Sequence, residues 1–195
     1  MKKSIKNSVL VIGLLGLVMG AKAQTSSSTA TSSGPNGIIY SIGADGGLTT
    51  GASRDLHKWE FGGSIEADIP VVKSLYISVN AGYNNFFNND AATGSSVSDI
   101  NLLPVKAGLK YFPVSCFYIQ GEAGAAFALN KSSVGYSNTA AFIYSPQLGF
   151  VFHLGGRSYL DAGVYYESSS DFTTNADQSK INFFGLRAAY AFTIK

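Results

Sequence analysis

The 195-residue chain contains one cysteine, one tryptophan, five prolines and two histidines, and only 13% of it is charged. Each shortage excludes something. A lone Cys116 cannot close an internal disulfide, so cross-links do not hold this chain together. A charge content of 13% is far below the roughly 25% usual in soluble domains, which leaves little with which to clothe a water-facing exterior. No segment beyond the first 23 residues shows a helical repeat of apolar positions, and none approaches the roughly 20 apolar residues that a transmembrane helix needs. No P-loop, dinucleotide fingerprint, zinc-ligand spacing or nucleophile elbow occurs, so the sequence offers no cofactor, no metal site and no catalytic residue. The Gly-rich GADGG (43–47) lies at a strand end with no helix after it and marks only backbone freedom.

What is present begins with a leader. Lys2, Lys3 and Lys6 precede the apolar run Val9 to Gly20, and Ala21-Lys22-Ala23 has the small-x-small form of a cleavage site. Residues 1–23 are expected to be a secretory signal peptide. Its removal takes Lys2, Lys3, Lys6 and Lys22, leaving ten basic residues against twelve acidic ones. The apparent basic balance therefore belongs to the leader, and nucleic acid is not expected as a partner. Residues 24–36 are rich in Ser and Thr and poor in large apolar groups, which predicts a flexible lead-in. The remaining 37–195 suit one domain.

Alternation with period two recurs through that domain and predicts eight strands, near 37–48, 57–69, 75–87, 99–112, 116–129, 139–154, 158–169 and 180–195. The connections after strands two, four and six are short: Pro70 to Ser74, Pro113 to Ser115 and Gly155 to Arg157. Those after strands one, three, five and seven are long and polar. Short turns at one end and long loops at the other describe an up-and-down antiparallel meander, and an even count lets the last strand pair with the first. The strands match or exceed the roughly 9–11 residues that cross a bilayer when tilted.

Alternation alone does not say which face is outside. The polar face of strand two is Glu60, Gly62, Ser64, Glu66, Asp68, and that of strand five is Tyr118, Gln120, Glu122, Gly124, Ala126. Small residues with almost no lysine suit a narrow lumen better than a water-facing surface. The other face is apolar, with aromatics towards the strand ends: Trp59, Tyr83, Tyr111, Phe117, Phe150, Phe152, Tyr190 and Phe192 are predicted to meet lipid as interfacial girdles. In strand eight, Phe184, Leu186, Ala188, Tyr190, Phe192 and Ile194 should face outward and Arg187 inward. The predicted fold class is all-β, an eight-stranded antiparallel up-and-down transmembrane β-barrel.

Inward positions then hold Asp45, Glu66, Asp68, Lys106, Lys110, Glu122, Asp161 and Arg187. Buried charges must be paired, so a lumen ion-pair network is expected from Glu66, Lys106, Glu122, Asp161 and Arg187, with mid-strand Lys106, Glu122 and Arg187 at its centre. Eight strands leave an interior just wide enough for side chains, which argues against a large pore. Pro104 and Pro146 fall inside strands four and six, where each should mark a bulge or a lost ladder bond. His153 falls at the short-turn end without an obvious partner, while Lys73 and Arg157 should snorkel towards headgroups.

Across 37–195, the strand count, the alternating loops and the ending Tyr190-Ala191-Phe192-Thr193-Ile194-Lys195 resemble the small outer-membrane β-barrels of Gram-negative bacteria. These are the OmpA/OmpX-type barrels and the related outer membrane protein β-barrel family common in Bacteroidota. The resemblance implies a place in the outer membrane with both termini periplasmic. It also implies outer-membrane lipids as surroundings and the barrel-assembly machinery as a partner during biogenesis. That machinery reads a terminal aromatic in such barrels, and here Ile194-Lys195 follow Phe192, which shifts the element inward. The expected role is structural or adhesion-like, without enzymatic activity, with an extracellular ligand met through the loops. A narrow channel for ions or small solutes is one alternative. A lipid A-modifying enzyme is another, since some barrels of this class use His, Ser and an acid at the outer rim, where this chain has His57, Ser53 and Asp55. An exposed rim histidine is the favoured reading.

Overall fold

A computed structural model describes residues 34–51, 57–88, 99–134, 136–173 and 180–194. The expected leader, most of the lead-in, Ser53, Asp55 and the side chain of His57 lie outside the described residues. Eight strands follow one another: β1 (Ile38–Thr50), β2 (His57–Val72), β3 (Leu75–Asn88), β4 (Ile100–Val114), β5 (Phe117–Ala128), β6 (Ala140–Gly155), β7 (Ser158–Ser169) and β8 (Asn182–Ile194). One helical turn, α1 (Lys131–Val134), lies in the connection between β5 and β6. Every strand pairs antiparallel with its neighbours in sequence, and β8 pairs with β1 to close a barrel.

Closure comes with a stagger. Following paired residues around the barrel runs from Tyr40 through Ala67, Val79, Ala107, Ala123, Tyr144, Ser168 and Asn182 to Thr50, ten positions beyond the start on the same strand. Ten residues of shear over eight strands tilt each strand by roughly 40°. A 13-residue strand such as β1 then rises about 30 Å, enough to cross an apolar band of about 25 Å.

The tight ends are shorter than sequence alone suggests. Strand β2 continues through Pro70 to Val72 and β4 through Pro113 to Val114, so the turns are Lys73-Ser74, Ser115-Cys116 and Gly156-Arg157. Pairing slips between Pro70 and Val72 and between Tyr111 and Val114, so the bulges absorb both prolines at the rim. Ser74 (φ 66°) and Gly156 (φ 58°) supply the left-handed conformation that such tight turns require. Pro104 and Pro146 behave differently. Opposite Pro104, the β3 ladder breaks between Ala81↔Val105 and Asn84↔Leu102. Opposite Pro146, the β7 ladder breaks between Tyr144↔Ser168 and Gln147↔Tyr165. The register is the same on both sides of each gap, and each proline stays paired on its other flank, to Ala126 and Gly121. Each proline thus costs one local ladder and leaves closure intact.

The two faces separate cleanly. In β8, burial alternates without exception from Phe183 to Ile194: Phe184, Leu186, Tyr190, Phe192 and Ile194 are exposed, while Arg187 is buried. Leu186 is 65% exposed and Trp59 58% exposed, values that no water-soluble fold would give its largest apolar groups as a class. Trp59 and Tyr83 lie in the loop-side half, whereas Tyr111, Phe117, Phe150, Phe152, Tyr190 and Phe192 lie towards the turns, all on the outer face. The turn-side ring is continuous in places: Phe117 packs on Phe150 at 5.2 Å, and Tyr40 stacks on Phe192 at 5.9 Å. Two phenols find polar partners, Tyr83 donating to Asn101 Oδ1 (2.8 Å) and Tyr190 sharing a hydrogen bond with Ser158 Oγ (2.6 Å). An apolar ring with a wet tip suits an interfacial position. This is the exterior of a transmembrane β-barrel.

A charge placed on that exterior should be expensive. Leu186→Arg is expected to destabilise the folded barrel in phospholipid vesicles by about 2–4 kcal/mol, read as a lower urea midpoint. An unchanged midpoint would mean that Leu186 does not face lipid.

Candidate functional site

The site is the lumen. Among the described residues, seven acids and three bases are buried there, spread over β1, β2, β4, β5, β7 and β8. Lys110, 1% exposed, is the centre. Its Nζ lies 3.1 Å from Glu66 Oε1, 2.9 Å from Asp68 Oδ2 and 3.1 Å from Asp161 Oδ2, and 4.3 Å from the centroid of the Tyr118 ring. Tyr118 in turn donates to Asp161 Oδ1 (2.7 Å) and accepts from Gln147 Nε2 (2.5 Å). One ammonium thus ties β2, β4 and β7 across the barrel axis.

Two further bases sit beside it. Lys106 Nζ meets Glu167 Oε2 at 2.8 Å and Glu122 Oε2 at 3.7 Å. The Arg187 guanidinium lies 3.7 Å from Asp45 Oδ1 and 3.8 Å from Glu66 Oε2. Arg187 Nη1 donates to Ser64 Oγ and Nη2 to Ser41 Oγ (3.0 Å), while Ser64 Oγ donates to Asp45 Oδ2 (2.6 Å). Glu66 joins the two groups, because it touches Lys110, Arg187 and Asn80 Nδ2 (2.9 Å).

The residues expected to form the network, Glu66, Lys106, Glu122, Asp161 and Arg187, all lie in the lumen: Lys106 pairs with Glu122, and Arg187 with Glu66, which shares Lys110 with Asp161. Mid-strand position pointed to Lys106, Glu122 and Arg187 as the centre, whereas the structure puts Lys110 there. The cause is the tilt: with ten residues of stagger, the middle of a strand in sequence is not a common height in the barrel. Glu167, outside the expected set, shares the parity of Asp161 on β7 and makes the shortest ion pair of Lys106. His153 also differs from expectation: its Nε2 lies 3.1 Å from Gly156 O, and its ring meets Tyr159 edge-on at 5.2 Å.

Apolar residues close the lumen above and below this polar layer. At the loop end, Phe86, Ile100, Leu102, Ile143, Tyr165 and Phe183 point inward and pack together, with Phe172 of the β7–β8 connection fully buried among them. Tyr136 of the β5–β6 connection stacks on Phe172 at 4.8 Å, and Asn138 N donates to Phe172 O (2.9 Å). Burial pushes the Tyr136 hydroxyl up to about 12, so it stays neutral at any ordinary pH. At the turn end, Tyr76, Phe112 and Tyr118 form a second cluster with Ile39, Val151 and Ala191. Residues 34–36 lie against that end, where Tyr76 Oη donates to Pro35 O (2.6 Å). An open recess of about 470 Å³ remains beside them, bordered by Cys116, His153 and Tyr159. Two glycines make room for the rings: a side chain at Gly149 would run into Tyr118, and one at Gly185 into Tyr165.

Within the polar layer, a space of about 20 Å³ remains beside Asp45, Asn84, Lys106, Glu167 and Arg187, room for about one water molecule. The parity of Phe86, Ile100, Leu102 and Phe183 was readable from the sequence; that they would meet as a plug depends on height in the barrel, which was not.

Removing the central ammonium leaves three carboxylates facing one another. Lys110→Met is expected to cost about 3–5 kcal/mol of folding stability in vesicles. Lys106→Met, which leaves two acids, should cost less. Equal urea midpoints for Lys110→Met and the unaltered protein would contradict this arrangement.

No family model matches the sequence, nor does any curated protein. Solved structures do share its architecture. The attachment invasion locus protein Ail of Yersinia pestis is 19% identical, with a TM-score of 0.53 over 80% of this chain and 99% of that one. Neisserial surface protein A (NspA) is 14% identical, with a TM-score of 0.56 over 82% of this chain and all of that one. Outer membrane protein AlkL, solved in DMPC lipid bilayers, is 16% identical, with a TM-score of 0.52 over 88% of this chain and 97% of that one. At such identities the likeness is one of fold, and the chain has the fold of the small eight-stranded outer-membrane β-barrels.

Proposed function

We propose that this chain is an integral outer-membrane protein of structural or adhesion-like role, without enzymatic activity, whose long loops carry its interactions outside the cell. On this reading the short turns and both ends of the barrel domain face the periplasm, and outer-membrane lipids are its surroundings. The observation that carries the reading is the closed lumen. Apolar clusters cover both mouths, and the polar layer between them leaves about 20 Å³. A sealed barrel has only its lipid face and its ends with which to work. The connections at the loop end are the longer ones in sequence and are rich in Asn, Ser, Thr and Gly. The name of the attachment invasion locus protein, which shares the fold, is consistent with a surface role.

The test is attachment. Cells displaying the intact chain should adhere to matrix-coated surfaces. Replacing the polar connections 89–98 and 130–138 with short turns should abolish adhesion while leaving the heat-modifiable gel mobility of a folded barrel. Adhesion that survives those replacements would remove the loop-based reading.

The narrow channel is the second reading, and the polar layer favours it. The plugs argue the other way: planar bilayers containing the purified protein should show no steady conductance. Steady conductance that disappears on altering Lys106 or Arg187 would establish the channel instead. Lipid A chemistry in cells carrying His57→Ala is expected to match that of cells carrying the unaltered chain.

A further inference from the structure

The residues that close the loop mouth have two origins. Phe86, Leu102, Ile143, Tyr165 and Phe183 are inward positions of β3, β4, β6, β7 and β8, and so belong to the barrel wall. Phe172 comes from the connection after β7, yet it is 0% exposed among them. Strand parity does not put it there. On β7, Tyr165, Glu167 and Ser169 are the buried positions, so a continued strand would turn Phe172 towards lipid. Instead the strand stops at Ser169, and bends at 172 and 173 lay the ring over the mouth.

The base of this connection is stitched to the wall. Ser169 N donates to Ile181 O (3.0 Å) and Ile181 N to Ser169 Oγ (2.8 Å). Ser170 N donates to Phe142 O (2.7 Å), and its hydroxyl accepts from Phe142 N (3.0 Å). Beyond Ser170 the attachment changes. Phe172 O accepts from Asn138 N (2.9 Å), and the Phe172 ring stacks on Tyr136 at 4.8 Å; both partners stand in the connection between β5 and β6. The Asp171–Lys180 pair beside it spans 3.7 Å in solvent and adds little.

That difference decides what can move. The ladders on either side of β7 end at Ile143↔Ser169 and Asn182↔Ser168, so residues 171–173 can rotate outward without breaking a ladder pair. Phe86 and Phe183, set in paired strands, lack that freedom. A segment held by one buried ring and few main-chain bonds belongs to the parts of a fold that open first. Beneath the plug lies the space of about 20 Å³ bordered by Asn84, Lys106 and Glu167.

We propose that residues 171–173 are a lid, with Phe172 as its stopper and Tyr136 as its latch. The lid swings out while the barrel stays closed, and admits water and small ions to the layer of Lys106 and Glu167. The turn-end cluster stays shut in that movement, so an open lid makes a vestibule and not a through-channel. The lid does not rest on the adhesive reading, and adhesion and lumen access are separate measurements.

The test is thiol labelling in phospholipid vesicles. Asn84→Cys in a Cys116→Ser background puts a single thiol just beneath the plug and removes the exposed native one. The probe is a small charged methanethiosulfonate reagent added to the water, and heat-modifiable gel mobility confirms a folded barrel in each variant. The thiol at position 84 should react slowly under the unaltered lid, roughly a hundredfold faster in Phe172→Ala, and at an intermediate rate in Tyr136→Ala. Phe86→Ala removes a wall ring and leaves the lid in place, so labelling should stay near the slow rate. Tyr136→Ala, which keeps the buried ring, carries the same comparison if Phe172→Ala does not fold. Fast labelling under the unaltered lid, or slow labelling that neither lid variant changes, would overturn the proposal. Equal acceleration by Phe86→Ala and the lid variants would overturn it too, because the plug would then loosen as one core.

Discussion

A peptide backbone in hydrocarbon has nothing to bond to except itself. For strands, the only arrangement that leaves no N–H or C=O facing lipid is a closed ring, so the pairing of β8 with β1 is the constraint from which the rest of this molecule follows. Closure with eight strands and ten residues of stagger fixes the diameter. The diameter fixes how much side chain the lumen can take, and the lumen here is filled. Even the prolines respect the ring. Pro104 and Pro146 each forfeit part of one ladder, yet the register on either side is preserved.

A narrow, filled lumen sets the terms for its charges. Lys110 cannot reach water, so it is surrounded by Glu66, Asp68 and Asp161 and covered by the Tyr118 ring. The acids that neutralise it exceed one charge, and part of their excess is met by Arg187 and Lys106. Apolar clusters at both mouths keep water from this layer and make its ion pairs matter more. The outer face obeys the opposite rule, with aliphatic residues at mid-height and aromatics at the margins. The same period-two alternation serves both, since one residue in two meets lipid and the next meets the axis.

Much of this was legible in the sequence, and what was not has a common cause. Parity is local, so the faces of β8 could be assigned from Phe184 to Ile194 by counting, and the outward aromatics with them. The short-turn and long-loop ends followed from the spacing of polar segments. Height along the barrel axis is not local. It depends on stagger summed around eight strands, and that sum is invisible until every register is known. For this reason Lys110, near the turn end of β4, turned out to be the hub rather than Lys106. Likewise, Phe86, Ile100 and Phe183 proved to be parts of one plug with Phe172. Glu60 and Glu167 have the inward parity of their strands, but which acids meet a base is again a question of height. Residues that act across the ring are the ones that a linear reading loses.

The central claim is that the apolar face meets lipid while the ionic face meets the axis. The chain's single tryptophan, Trp59, lies on the apolar face and is 58% exposed. In vesicles containing lipids brominated on their acyl chains, its fluorescence should be strongly quenched, while acrylamide added to the water should quench it little. Strong quenching by acrylamide with none from the brominated chains would place that face in water and contradict the account.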